Sequence, residues 1–171
     1  MKILITYFSQ SGNTEKIAKS ILEGCQGQDV DIKPIKDVNP STLSEYEVLF
    51  LGSGIYASRV NKSLSDLIKS ANELPSKLVF FCSHASLDSY QDGFKVVKRN
   101  IKDTDVKIIG SWDCMGESIG IPEATRKAML ERLPPEQRKQ AEEHQKTLEG
   151  RPNEEDLENA KQFAQSLIQK L

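Results

Sequence analysis

The stretch that decides the fold is residues 2–14, KILITYFSQSGNT, in which an apolar run is followed by a polar loop. The run has the length of a short strand, and apolar residues at helical spacing begin directly after the loop. The loop carries three hydroxyls, two amides and Gly12, but no Lys or Arg. Its donors must therefore be hydroxyls and backbone N–H groups, and the unpaired N–H groups and positive dipole end of a helix N-terminus favour a phosphate dianion. The sequence predicts a phosphate-binding loop made of Ser9, Gln10, Ser11, Gly12, Asn13 and Thr14.

Length and composition narrow the class of protein. The 171 residues fit one domain, residues 1–171, large enough to bury roughly 70% of the surface that the unfolded chain exposes. A net charge of −2 gives no argument for nucleic acid binding, which needs Lys and Arg clustered on one face. The longest apolar runs are far shorter than the roughly 18 residues of a membrane span. We therefore expect no nucleic acid partner and no membrane.

The cysteines indicate a reducing compartment. Cys25, Cys82 and Cys114 are odd in number and too widely spread for a zinc pattern, so no metal site is predicted. The first strand begins at residue 2, with no signal-peptide pattern before it, and we expect a cytoplasmic protein. Cys82 and Cys114 follow neighbouring predicted strands. They are either a redox pair near the end of the sheet or two small buried thiols that never pair.

Short apolar runs alternate with helical patterns along the chain. The five runs are Ile3–Tyr7, Val30–Ile35, Val48–Gly52, Leu78–Cys82 and Val106–Trp112. Such alternation predicts an α/β fold, a parallel sheet with helices on both faces. Right-handed crossovers leave few topologies, and the doubly wound five-stranded order 2-1-3-4-5 is the commonest at this size. Ligands bind such sheets beyond the carboxyl ends of strands 1 and 3.

A polar, charged segment, residues 113–152, exceeds what a simple connection needs and predicts a helical insertion before the C-terminal helix. The Pro134–Pro135 pair is expected to start a helix that Gly150 ends, and Asn153 with Asp156 is expected to cap the final helix. Two interpretations of the insertion stay open. It either covers a sheet edge or forms a lid or docking surface near a cofactor.

Other phosphate-binding families with this sheet geometry need residues that the chain lacks. A nucleotide-binding P-loop needs a Lys before its Ser or Thr, and the segment Gly12–Thr14 has none. A dinucleotide fold needs three spaced glycines and an acid after strand 2, where this chain has Lys33 and Pro34. A low-molecular-weight phosphatase needs a Cys and an Arg in the first loop. A receiver domain needs an Asp at the end of strand 3, where Leu51–Ser53 stands.

The segment Ser9–Glu15, SQSGNTE, resembles the phosphate loop of flavodoxins, with Ser11 in place of the usual Thr. The resemblance covers the strand and helix rhythm of the whole chain. It implies a flavodoxin-like fold with FMN at the switch point between strands 1 and 3, its phosphate held by Ser9–Thr14. It also implies that the loop after strand 3 meets the flavin ring, with Tyr56 stacking on it; this loop comprises Ser53, Gly54, Ile55, Tyr56 and Ala57. The loop after strand 4 would reach the pyrimidine edge of the ring; it comprises Cys82, Ser83, His84 and Ala85.

Several side chains near these loops have two interpretations. His84 either donates to a flavin carbonyl or has no chemical role, and Arg59 either meets a substrate or is solvated. His144 lies in a run of Glu and Gln and is expected on the solvated surface. In flavodoxins a peptide after strand 3 turns over to meet the flavin, and Ala57 would resist the positive φ of such a turn by about 1 kcal/mol.

The resemblance implies an electron-transfer flavoprotein that shuttles electrons between a reductase and an acceptor, both of them redox partner proteins. Such a carrier uses the flavin and has no catalytic side chains. The alternative is an enzyme on the same fold: an FMN-dependent NAD(P)H:quinone-type reductase or a protoporphyrinogen-oxidase-like enzyme. The first loop predicts the cofactor but leaves this alternative open.

Overall fold

A mostly parallel sheet forms the centre of the computed structural model, which describes residues 1–86, 90–118 and 122–171. Its strands are β1 (Lys2–Phe8), β2 (Asp29–Pro34), β3 (Val48–Tyr56), β4 (Arg59–Val60), β5 (Lys77–His84) and β6 (Lys107–Met115). The helices are α1 (Asn13–Gly24), α2 (Lys62–Ser70), α3 (Lys95–Ile101), α4 (Glu123–Glu131), α5 (Pro135–Leu148) and α6 (Glu154–Ile168). Two short 3₁₀ helices, Ile35–Asp37 and Pro40–Glu45, occupy the crossover between β2 and β3.

The strand order is β2-β1-β3-β5-β6, with every neighbouring pair parallel. The predicted doubly wound order of the five long strands is therefore confirmed. The two-residue strand β4 was not predicted; it pairs antiparallel with the end of β3 to make a tight hairpin. Because parallel strands point the same way, the carboxyl ends of β1, β3, β5 and β6 lie at one edge of the sheet.

Apolar residues of the central strands are buried on both faces of the sheet. Leu49 and Phe80 pack on the side of α2 and α3, whereas Phe50 and Phe81 pack on the side of α1 and α6. Successive side chains of a strand point to opposite faces, so a strand covered on both faces must be apolar throughout. This is why β1, β3 and β5 are continuous apolar runs in the sequence.

Helices α1 and α6 make a close contact at a glycine. A Cβ added at Gly24 would lie 2.3 Å from the carbonyl oxygen of Lys161 and 2.7 Å from the Cβ of Ala164. Only glycine permits this approach, and Ala160 and Ala164 are fully buried beneath it. Gly24 thus ends α1 and also lets the last helix pack closely against the first.

The predicted start of α6 is confirmed. Asn153 accepts from the backbone N–H of Asp156, and the Asp156 carboxylate accepts from the backbone N–H of Asn153, forming a capping box. Helix α5 begins at Pro135 and ends at Leu148, two residues before Gly150. Among the helices described, none is both long and apolar enough to cross a membrane.

Candidate functional site

A cavity of about 240 Å³ lies at the carboxyl edge of the sheet. The loops after β1, β3, β5 and β6 surround it, as expected for a doubly wound sheet. Its walls are formed by Gln10, Ser11, Asn13, Gly54, Ile55, Tyr56, Ser83, His84, Ala85, Gly116, Glu117 and Ser118. Six predicted site residues are not part of this wall: Ser9, Gly12, Thr14, Ser53, Ala57 and Cys82. The structure therefore brings the three predicted loops together. Some of their side chains stabilise the loops and do not line the cavity.

The first loop is held by its own side chains. The Ser9 Oγ accepts from the backbone N–H groups of Gly12 and Glu15, at 3.1 and 3.4 Å. Gly12 has φ +88°, a left-handed conformation that glycine adopts without strain, and a Cβ there would face open space. The buried Thr14 hydroxyl lies 3.1 Å from the Ser83 hydroxyl, which ties the start of α1 to the end of β5.

Backbone donors at the start of α1 remain available. Within the described part of the chain, the N–H groups of Ser11, Asn13 and Thr14 have no hydrogen-bond acceptor. They lie at the positive end of the helix dipole, where an anion is stabilised. Among the residues that the structure describes, no Lys or Arg lines the cavity. The loop therefore offers an anion N–H groups and hydroxyls, in keeping with the sequence prediction.

The segment after β6 completes the cavity and was missed by the sequence reasoning. The Asn13 side-chain amide donates to the Glu117 carbonyl oxygen at 2.8 Å, and the Gly116 N–H donates to the His84 carbonyl oxygen at 2.8 Å. A Cβ at Gly116 would lie 2.9 Å from the Asn13 amide nitrogen and 3.2 Å from the Ser83 Cβ. The available signal was positional: Gly116 directly follows a strand that neighbours β5 in the predicted order.

Asn13 also carries an unused acceptor. Its side-chain oxygen is buried and has no hydrogen-bond partner among the described residues. Buried polar atoms are normally paired, because an unpaired one costs roughly 1–3 kcal/mol. A ligand hydroxyl or N–H in the cavity can satisfy it.

The β3–β4 hairpin places Tyr56 over the cavity. Its ring lies edge-on to Phe8, with centroids 5.8 Å apart, and a Cβ at Gly54 would come 2.7 Å from its hydroxyl oxygen. Burial raises the pKa of Tyr56, and the backbone N–H of Gln10 acts in the opposite direction. Tyr56 as a whole is 36% exposed, so part of it remains accessible to a ligand or to solvent.

The hairpin turn gives Ala57 a positive φ, the conformation that an alanine is expected to resist. Ala57 and Ser58 have φ of +47° and +64°. Two-residue hairpin loops favour turns whose twist matches that of the strands, and the type I′ turn among them has positive φ at both central positions, as seen here between the paired residues Tyr56 and Arg59. The neighbouring Ser53 is fully buried; its hydroxyl donates to the Gly54 carbonyl oxygen at 2.6 Å and accepts from the Asn61 N–H at 3.0 Å.

His84 lines the cavity, but protein groups occupy both of its ring nitrogens. Nδ1 lies 2.7 Å from the Ser86 carbonyl oxygen, and Nε2 lies 3.1 Å from the Asp113 carboxylate. Its ring is stacked on Tyr90 at 3.8 Å. Both of these partners are hydrogen-bond acceptors, and they hold the ring in place at the wall of the cavity. A flavin carbonyl would have to compete with these partners. Arg59, by contrast, is exposed on β4.

The three cysteines are free and buried. Cys82 packs on the α2–α3 face of the sheet and Cys114 on the α1–α6 face, so the two do not form a pair. Burial raises the pKa of Cys82 to about 12, with the Asp113 charge adding to the effect, and burial likewise raises the pKa of Cys114. Burial also raises the pKa of Cys25 to about 11. Thiols of this kind are unreactive near neutral pH. Across residues 1–86, 90–118 and 122–171, no group of His, Cys, Asp and Glu could hold a metal ion.

The insertion approaches the cavity. His144 on α5 donates from Nε2 to the Ala85 carbonyl oxygen at 2.5 Å and is half-buried, so the prediction of a solvated His144 was wrong. The contact joins the insertion to the loop after β5, while Ile108 on the edge strand β6 stays 43% exposed. The sequence left two interpretations of the insertion open. The structure favours a position beside the cavity over a cover for the edge of the sheet.

Comparison with known proteins identifies the family to which the chain belongs. The flavodoxin domain model matches residues 4–165. A flavodoxin-like domain-containing protein, BilS, from Clostridioides difficile strain CD3 is 27% identical over 177 residues, covering 98% of this chain and 97% of that protein. An uncharacterised protein, MJ0298, from Methanocaldococcus jannaschii is 29% identical over 171 residues, covering 98% and 99% of the two chains.

A solved structure shares the whole fold. Oxidised flavodoxin 2 from Bacillus cereus superimposes with a TM-score of 0.68 at 18% identity, covering all of both chains. The family model, the sheet order and the loop beginning at Ser9 agree, and the chain belongs to the flavodoxin domain family.

Proposed function

We propose that this protein binds FMN in the cavity at the carboxyl edge of the sheet and carries electrons between redox partner proteins. The observation that carries the proposal is the group of backbone donors at the start of α1, N–H groups of Ser11, Asn13 and Thr14 without acceptors in the described part of the chain. A terminal phosphate matches this donor set, because it supplies several acceptor oxygens and a charge that the helix dipole stabilises.

The rest of the cavity suits the remainder of the cofactor. The unpaired Asn13 side-chain oxygen can accept from a hydroxyl of the ribityl chain. Tyr56 offers an aromatic face, and the loop from Ser83 to Ala85 forms another part of the wall. When bound, FMN supplies reversible transfer of one or two electrons. The protein's own groups bind and shield it, and the buried cysteines take no part because their pKa values are raised.

Direct titration tests the cofactor. The FMN-free protein should quench FMN fluorescence with one-to-one stoichiometry, and should bind riboflavin, which lacks the phosphate, at least about tenfold more weakly if the α1 donors contribute a charge-assisted set of hydrogen bonds. Equal affinity for the two flavins would contradict the proposed phosphate site. FAD provides a further comparison for the open end of the cavity.

A pair of glycines provides the matched variants. Gly12 and Gly27 have φ of +88° and +86°, and a Cβ at either position meets nothing within 4 Å. Gly12→Ala and Gly27→Ala therefore introduce the same backbone strain, but only Gly12 belongs to the phosphate loop. We expect Gly12→Ala to weaken FMN binding and Gly27→Ala to leave it unchanged, with similar losses of stability in both.

An FMN-dependent reductase is the second candidate, and one observation favours it: a second cavity adjoins the first through Ala85, Glu117 and Ser118. Anaerobic mixing of the FMN-loaded protein with NADH or NADPH separates the two functions. Flavin bleaching that is slow alone and fast when a separate reductase is added supports the carrier. Rapid bleaching by the nucleotide alone supports the enzyme.

A further inference from the structure

Helix α3 and the residue after it present a row of cations to solvent. Lys95, Lys98, Arg99 and Lys102 are all exposed, and their spacing of i, i+3, i+4 and i+7 places them on one face of the helix. We call these four residues the basic stripe. The stretch 95–102 contains no acidic residue, whereas the whole chain has a net charge of −2. The charge of the stripe is therefore local and opposite to that of the chain.

The basic stripe is not neutralised by the protein itself. Among the described residues, no carboxylate lies within ion-pair distance of any of its four cations. Like charges four residues apart on a helix destabilise it, and Lys95 with Arg99 and Lys98 with Lys102 are two such pairs. An anionic group bound across the stripe would relieve this repulsion.

A groove of about 240 Å³ lies beside the stripe, between α3 and the edge strand β6. Its lining includes four aromatic residues, Phe80, Tyr90, Phe94 and Trp112. Lys98 lines it as well, with its ammonium 6.0 Å from the centre of the Phe80 ring. The groove therefore combines an aromatic wall with one cation of the stripe.

Strand β6 is covered on one face only. Ile109, Trp112 and Cys114 pack on the side of α6, but in the described ranges no residue of β6 belongs to the apolar cluster on the side of α2 and α3. Ser111 and Asp113 are exposed and line the groove. The Asp113 carboxylate is bonded to His84, so it does not neutralise Lys98.

Two stacked rings connect this groove to the first cavity. Tyr90 lines the groove, and its ring stacks on that of His84 with centroids 3.8 Å apart and planes 5° apart. His84 lines the first cavity. A molecule docked in the groove would therefore lie close to whatever occupies the first cavity.

Charge and length limit what the stripe and groove can bind. The stripe is only about 10 Å long, at 1.5 Å per residue, and Asp92 and Asp103 lie beyond its two ends. A long polyanion such as a nucleic acid would run over these carboxylates. A short acidic protein segment fits better, because its carboxylates can face the stripe while one apolar side chain enters the aromatic groove.

We propose that the basic stripe and the adjoining groove dock an acidic segment of a partner protein, with a large apolar side chain of that segment in the groove. The inference rests on the proposed function for one point only, that this partner is a redox protein. Docking itself depends on the charges of α3 and on the uncovered face of β6.

The test is an NMR titration of the isotope-labelled protein, FMN-free and FMN-loaded, with a blocked peptide of alternating Glu and Asp around one central Leu. Amide shifts should change in α3 and β6, and a Ser in place of the Leu should weaken binding at least about threefold. Raising the ionic strength from about 0.05 M to about 0.3 M should weaken it by a similar factor. Equal binding of the same peptide built from Lys and Arg would overturn the proposal.

Other anions provide a further control. An oligouridylate of equal charge should bind more weakly than the acidic peptide, and the protein should not sediment with phosphatidylserine vesicles. Tighter binding of the oligouridylate, or sedimentation with the vesicles, would overturn the choice of an acidic protein as the partner.

Variants with matched charge test the stripe. The double variant Lys98→Gln/Arg99→Gln should weaken peptide binding about fivefold, as the loss of two exposed ion pairs predicts. Lys36→Gln/Lys139→Gln changes the net charge equally at two exposed positions outside the groove lining, and should leave binding unchanged. Equal weakening in both double variants would show that only the net charge matters, and would overturn the docking site.

A second pair of variants tests the groove. Ser111→Phe should fill it and weaken binding of the Leu peptide to the level of the Ser peptide. Ser166→Phe, on the exposed side of α6 and outside the groove lining, should have no effect. Unchanged binding in Ser111→Phe would contradict the role of the groove. If Ser111→Phe fails to fold, full-strength binding in Lys98→Gln/Arg99→Gln still overturns the proposal.

The outcomes separate this proposal from the proposed function. If FMN fails to bind but the acidic peptide binds to α3 and β6 in the FMN-free protein, the cofactor assignment falls and the docking site stands. If FMN binds and the peptide does not, the docking site falls and the cofactor assignment stands. Gly12→Ala should change the affinity for FMN without changing that for the peptide.

Discussion

Helices α1 and α4 both stand beside the cavities at the carboxyl edge of the sheet, yet they are held in different ways. Seven residues of α1 are buried, among them Ile17 and Ile21 in the core, whereas α4 has no buried residue. The insertion is held instead by a few hydrogen bonds, such as that from His144 to Ala85. The side of the cavities formed by α1 is therefore part of the core. The side formed by the insertion depends on individual hydrogen bonds, each of which a single substitution can remove.

The largest effect is expected from a substitution at Thr14, a buried residue at the start of the core-bound helix α1. Thr14→Val removes a hydroxyl beside the proposed phosphate site and leaves the buried Ser83 hydroxyl without its partner. We expect FMN affinity to fall at least tenfold and the free energy of unfolding to fall by about 1–2 kcal/mol. Flavin titration and urea denaturation measure the two quantities. Thr14→Ser keeps the hydroxyl and should keep most of both; equal losses in Thr14→Ser and Thr14→Val would contradict a role for the hydroxyl.

The next effect concerns the junction where the insertion returns to the core at α6. Burial raises the pKa of the Asp156 carboxyl, but the Arg151 guanidinium and the Asn153 N–H outweigh it and hold this pKa below its ordinary value. A carboxyl with a lowered folded-state pKa stabilises the fold above its unfolded-state pKa, near 4, and this stabilisation is lost as the pH falls below that value.

Asp156→Asn should therefore lower the free energy of unfolding at pH 7 by about 1–2 kcal/mol and flatten its dependence on pH below 4. Thermal melts across pH 2.5–7 check this, at sampling points set by the usual carboxyl range. Glu155→Gln removes an exposed acid from the same helical turn and should show neither change. A melting curve for Asp156→Asn as acid-sensitive as that of the unaltered protein would be evidence against the buried ion pair.

A smaller, local effect is expected in the insertion. The Arg138 guanidinium on α5 donates to the carbonyl oxygens of Leu130 and Glu131, at 3.0 and 2.9 Å, and so caps the end of α4. Arg138→Gln should increase amide hydrogen exchange in α4 and α5, with a change of less than about 0.5 kcal/mol in global stability. Lys139→Gln is the exposed control. If global stability falls in step with the local protection, the insertion unfolds with the core and the comparison of α1 with α4 is wrong.

The smallest effect should come from the β3–β4 turn, which uses left-handed residues without glycine. Ala57→Gly should raise the free energy of unfolding by about 0.5 kcal/mol, since glycine removes the positive-φ strain but adds freedom to the unfolded chain. Gly12→Ala should do the reverse. Urea denaturation of both variants measures the difference, and a destabilised Ala57→Gly would show that the side chain contributes packing that outweighs the strain.

Local patterns determined what the sequence could predict. The first loop is contiguous, so Ser9–Thr14 can be read as one motif. The central strands β1, β3 and β5 appear as apolar runs because both their faces are buried. The Asn153–Asp156 capping box lies within four residues and was predicted for the same reason.

The rest depends on the register and on tertiary contacts. Strand β4 has two residues and no periodicity, so only the hairpin reveals it. Cys82 pairs with Asp113, so Cys114, one residue further, must face the other side of the sheet; no sequence pattern fixes that register. Glu117 and His144 reach the site through contacts with Asn13 and Ala85, residues 104 and 59 positions away.

The contact at Gly24 has a consequence for the order of events during synthesis. Helix α6 begins 130 residues after α1 ends, which at ribosomal rates of about 5–20 residues per second is a delay on the order of ten seconds. Until α6 has emerged, the Gly24 side of α1 has no partner and stays open to water or to a chaperone. The helix that opens with the first loop of the chain is thus among the first elements to be made and the last to be covered.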